Sequence, residues 1–75
     1  MQYEFEELKQ VVEKELRNSP GTIYDICKRI GTEDVHDTMD AIQELTFEQK
    51  AYVSEIIKAY REDSGVILVE KFSHC

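Results

Sequence analysis

Thr46-Phe47-Glu48-Gln49-Lys50-Ala51-Tyr52-Val53-Ser54-Glu55-Ile56-Ile57-Lys58-Ala59-Tyr60-Arg61-Glu62 decides the fold, because it admits two readings. As a helix, it opens on a capping box at Thr46 and Gln49, and Val53, Ile56, Ile57 and Tyr60 fall on one side. As a strand, Tyr52–Tyr60 is rich in β-branched and aromatic residues. The residues that follow favour the strand. Asp63-Ser64-Gly65 is a turn, and Val66–Phe72 reads as a strand whose backbone groups need a neighbour. The nearest available chain is the segment just before the turn. The sequence therefore predicts a hairpin with a first arm over about 53–62, leaving 47–52 as a turn or short helical extension. A continuous helix there would instead make a four-helix protein.

Upstream of that segment the pattern is helical. Phe5, Leu8, Val12 and Leu16 recur at helical spacing among Glu, Lys and Gln, which predicts a helix over 3–17. Asn18-Ser19-Pro20-Gly21 breaks it. Thr22 then reads as an N-cap with Asp25 as its capping-box acid. Ile23, Ile26, Cys27 and Ile30 form a two-turn stripe over 22–30, and Gly31 stands where a C-terminal cap belongs. A third helix is predicted over 33–45, with Val35, Met39, Ile42 and Leu45 as its buried stripe. The predicted core comprises Leu8, Val12, Leu16, Ile26, Ile30, Val35, Met39, Ile42, Ile57, Ile67 and Val69.

Three helices followed by a hairpin make an α+β chain that resembles a small winged-helix domain of the helix-turn-helix superfamily. Thr22–Gly31 looks like that fold's second helix and turn, Val35–Leu45 like its third helix, and Tyr52–Phe72 like its two strands and wing. The resemblance covers almost all of 1–75 as a single domain and rests on order and pattern. It implies a third helix that enters the DNA major groove, with the wing against the backbone. Carried onto this chain, the groove-facing positions are Glu33, His36, Asp37, Asp40, Gln43 and Glu44.

Those residues are the wrong ones for reading DNA. Between Gly31 and Thr46 stand five acids, Glu33, Asp34, Asp37, Asp40 and Glu44, and no Lys or Arg. Base readers are Arg, Lys, Asn or Gln at several positions. The whole chain carries 16 acids against 9 bases, a formal −7, which disfavours phosphate and anionic lipid and favours basic partners. The predicted function is therefore binding to a protein with a basic surface through helix 33–45. The chain would serve as an adaptor or regulatory subunit, or as a phage-type inhibitor whose carboxylates imitate a phosphate track. The alternative is a DNA-binding transcriptional regulator, a homodimer that approaches DNA through Lys28, Arg29, Lys58, Arg61 and Lys71 rather than through the third helix.

Other chemistry finds little footing. Acids at helical spacing on a solvated convex face lack the cleft that would split their pKa values for catalysis. Cys27, Cys75, His36 and His74 match no close-spaced zinc pattern, so no metal or cofactor is expected, and Cys27 reads as a small core residue. The terminal His74-Cys75 pair reads as a frayed end. Tyr3, Tyr24, Tyr52 and Tyr60 have no basic groove beside them in which to stack bases. MQYEFEELKQ lacks the basic and apolar regions of a signal peptide, and the longest apolar run, Val66–Val69, is far short of a membrane span. A cytoplasmic protein is expected, acting neither as an enzyme nor on membranes.

Overall fold

The computed structural model describes residues 3–63 and 65–75, with the Arg61 side chain outside the described set. The order is α1 (Phe5–Asn18), β1 (Gly21–Thr22), α2 (Ile23–Ile30), α3 (Val35–Phe47), β2 (Ala51–Arg61) and β3 (Gly65–His74). The two long strands pair antiparallel, and β1 adds to the other side of β3, giving the order β1-β3-β2. The chain is thus α+β, and the ambiguous segment is a strand from Ala51 onward. The predicted turn at 63–65 falls between the paired Arg61 and Gly65, with Ser64 outside the described residues.

Local chemistry fixes the helix ends. Thr22 and Asp25 make the reciprocal capping box: the Asp25 N–H donates to Thr22 Oγ1 at 3.2 Å, and the Thr22 N–H donates to Asp25 Oδ2 at 3.1 Å. Gly31 closes α2 at φ 72°, the left-handed region that a residue with a Cβ enters at a cost. Asp34 caps α3 by accepting from the Asp37 N–H at 3.0 Å, so this helix starts two residues later than the sequence suggests and Glu33 lies outside it.

β1 has no counterpart in the sequence reading, where Pro20-Gly21 figured only as a breaker. Gly21 is buried and pairs with Phe72, and a Cβ there would lie 3.1 Å from Asp25 Cβ and 3.2 Å from the Arg29 guanidinium. Its glycine is set by close approach between elements, a signal that no local pattern carries.

One apolar cluster holds the elements together: Leu8, Val12 and Leu16 from α1, Ile23, Ile26 and Cys27 from α2, Ala41, Ile42 and Leu45 from α3, with Ala51 and Phe72 from the sheet. α3 sits rotated from the expected stripe. Its buried residues are Thr38, Ala41, Ile42 and Leu45, while Val35 is exposed and Met39 only half-buried. Small Thr38 and Ala41 are fully buried where α3 packs on the core. The Thr38 hydroxyl is satisfied by donating to the Asp34 carbonyl at 2.8 Å, so its burial leaves no orphan group.

Ile57, Ile67 and Val69 are also only half-buried, against expectation, because the outer part of the hairpin extends past the helices, and Ile30, at the end of α2, packs against the edge of the core and is half-buried too. Residue Ser54 forms a β-bulge between Val53 and Glu55. Its hydroxyl donates to the Lys71 carbonyl at 3.3 Å and accepts from Ser73 Oγ at 2.7 Å. The extra residue advances the side-chain alternation by one, so Val53, Ile56, Lys58 and Tyr60 share a face with Val66, Leu68, Glu70 and Phe72.

The rotation of α3 is testable by mutagenesis. Ile26→Ala and Ile42→Ala each lower unfolding free energy by about 2–5 kcal/mol through lost burial and a cavity. Ala41→Leu costs about 1–3 kcal/mol by overpacking the α1 contact. Val35→Ala stays within about 1 kcal/mol in urea titrations, because Val35 is already exposed.

Candidate acidic interface

The proposed contact residues all reach solvent, and the structure divides them between the α1 side and the hairpin side of α3. His36, Asp37, Asp40, Gln43 and Glu44 are exposed along α3, and Glu33 is exposed just before it. Burial of Thr38, Ala41, Ile42 and Leu45 turns Asp37 and Glu44 toward α1. Lys9 of α1 reaches across to Glu44, at 3.3 Å, and to Glu48. Asp34 and Asp37 border a hollow that they share with Tyr3, Leu8 and Thr32, again on the α1 side. Gln43 instead borders a depression with Met39, Thr46, Val53, Glu70 and Phe72, between α3 and the hairpin.

The acidic flank is electrostatically strained at its centre. The neighbouring Asp34 carboxylate, by hydrogen bond and by repulsion, raises the Asp37 carboxyl above the ordinary aspartate range, with Asp40 adding to the repulsion. At the other end Lys9 relieves it. Its ammonium is held above the ordinary lysine value by the Glu48 hydrogen bond first and Glu44 second, and Glu48 is lowered in return, chiefly by Lys9. Excess negative charge is thus concentrated near Asp34, Asp37 and Asp40.

The basic residues of the DNA alternative are scattered. Arg29 is occupied in the fold, donating to the Ser19 carbonyl at 2.9 Å and the Pro20 carbonyl at 3.0 Å, which holds the chain entering β1. Lys28 is exposed on α2. Lys71 pairs with Glu55 across the hairpin and with Thr22 on its other side, while Lys58 lies opposite Leu68 on the other sheet face. The Arg61 side chain lies outside the described residues.

The C-terminal residues are not frayed. β3 runs to His74, and the Cys75 N–H donates to the Lys50 carbonyl at 2.9 Å. His74 Nε2 lies 3.0 Å from Glu13 Oε2, which also faces Arg17 at 3.2 Å, so the last strand is tied to α1. Sequence spacing gave no hint of this contact, because its partners are 61 residues apart. Among the described residues no group of three His, Cys, Asp or Glu could hold a metal ion, and no helix is long and apolar enough to cross a membrane. No protein-family model matches the chain, and neither does any curated protein or solved structure.

Two outcomes follow from these contacts. Glu13 lies below the ordinary glutamate value, chiefly through its hydrogen bond to His74. Its stabilising contribution is therefore complete above the unfolded-state value and disappears as pH falls through the folded one. Glu13→Gln should cost up to about 1 kcal/mol at pH 7, with the two proteins converging in acid, as read by urea titration at each pH. Cys27 is buried and Cys75 exposed, so native alkylation should label Cys75 rapidly and Cys27 only on unfolding, as peptide mass spectrometry will show.

Proposed function

We propose that this chain is an acidic protein-binding module of the winged-helix kind, and that it engages a basic protein surface through the α1-facing flank of α3. Three helices followed by an antiparallel hairpin support the winged-helix reading. The observation that carries the function is the exposed acidic run of Asp34, Asp37, Asp40 and Glu44, like charges that repel one another and that Lys9 meets at the Glu44 end. A cation delivered by a partner relieves that repulsion and gains from electrostatic steering. The contact residues are Glu33, Asp37, Asp40 and Glu44, with His36 and Gln43 at the outer margin. Lys9 limits the site at its Glu44 end.

This reading also accounts for the separation of the basic side chains. A DNA-binding surface needs several cations on one face to displace counterions. Here Arg29 is bonded to main-chain carbonyls, and Lys58 and Lys71 lie on opposite faces of the hairpin. An adaptor or inhibitory role would use the same flank.

Affinity capture from the native host, comparing the wild type with Asp37→Lys/Asp40→Lys, tests the proposal. The wild type should retain a basic protein whose binding weakens with added salt. The double variant should lose at least about tenfold in affinity while keeping its circular dichroism and thermal midpoint. Equal capture by both proteins, or a specific duplex shifted by the wild type at nanomolar concentration, would contradict it.

A further inference from the structure

The hairpin carries a second surface that the acidic flank does not use. Val53, Ile56, Tyr60, Val66 and Leu68 are all substantially exposed, from 39% at Val53 to 83% at Tyr60, and cross-strand register places them on one face. Single exposed apolar side chains are ordinary, whereas five contiguous ones mark a contact surface. The opposite face, with Ile57, Ala59, Ile67 and Val69, is already half-buried, so this face is the more open of the two.

Charge indicates what covers it. Residues 51–74 hold four acids against three bases, while residues 1–50 hold twelve acids against six. The hairpin is the nearly neutral end of an acidic molecule. A basic partner is drawn to the body, whereas another acidic molecule can approach only at the hairpin, with the two bodies held apart.

The face is also complementary to itself. Ile56 lies opposite Glu70 and, in the next pair outward on this face, Lys58 lies opposite Leu68. One cation and one anion therefore occupy one diagonal of a four-residue block, with Ile56 and Leu68 on the other. A two-fold axis along the apolar diagonal brings each Lys58 against the second copy's Glu70, twice, around a paired Ile56 and Leu68 centre. Such self-matching is the requirement of an isologous interface.

We propose that the occupant of this face is a second copy of the chain, in a hairpin-to-hairpin dimer. Of 5356 Å² of surface per chain, such a contact covers about 500–600 Å² on each partner, the lower range for a specific interface. The dimer leaves the acidic flank of α3 open and does not depend on its role.

Sedimentation equilibrium of the purified chain between about 1 and 500 μM tests this. A monomer–dimer equilibrium is expected, and Leu68→Ser should weaken it at least about tenfold with unchanged circular dichroism. Lys58→Glu and Glu70→Lys should each self-associate at least about tenfold more weakly, yet dimerise with one another about as tightly as the wild type. That rescue requires contact between chains, since within either variant the two residues carry like charges. A wild type that stays monomeric throughout, association that continues beyond the dimer, or a mixture no tighter than its components would overturn the proposal.

Discussion

Everything distinctive about this surface depends on how α3 beds against α1. Thr38 and Ala41 present almost no side-chain height, and with Ile42 and Leu45 they pack onto the cluster built by Leu8, Val12 and Leu16. That contact sets the rotation of α3 about its own axis. Asp37 and Glu44 then turn to the α1 side, where Lys9 meets Glu44 and Glu48. Met39 and Gln43 turn to the hairpin side. Had Val35 and Met39 been buried instead of Thr38 and Ala41, the helix would be rotated and its acids would stand directly opposite the core. Apolar burial at one seam thus decides where charge is displayed.

The hairpin depends on a second, smaller constraint. Ser54 inserts one residue into β2 and reverses the alternation beyond it. Without that bulge, Val53 and Ile56 would point to opposite faces. With it, the apolar residues of the outer hairpin gather beside those of β3, continuous with buried Phe72 at the inner end. The bulge is held by Ser54, Ser73 and the Lys71 carbonyl rather than by packing, a local polar device with a long-range effect on the surface. The molecule then offers two surfaces of different chemistry on opposite sides of α3.

Elements with strong local signals were legible in the sequence. The Thr22/Asp25 capping box, the Gly31 cap, the Leu8-Val12-Leu16 stripe and the strand reading of about 53–62, which the structure extends inward to Ala51, all follow from propensity, capping and the demand of one strand for another. What escaped were features created by contact. α3 carries apolar residues at 35, 39, 41, 42 and 45, so two stripes compete. Val35 and Met39 stand out on hydrophobicity, whereas packing buries Thr38 and Ala41 beside Ile42 and Leu45. β1 was hidden because its glycine serves packing against Asp25 and Arg29. The Glu13–His74 tie joins the two ends of the chain, where no local pattern operates. The acidic residues of α3 were identifiable by composition, but the side of the molecule they occupy followed from the helix rotation.

A dilution series followed by amide chemical shifts tests most directly the claim that α3 separates two independent surfaces. Concentration-dependent shifts should be confined to the outer hairpin, around Ile56, Lys58, Leu68 and Glu70, with the amides of Asp37 and Asp40 unmoved. Shifts centred on Asp37 and Asp40, or a spectrum independent of concentration, would contradict it.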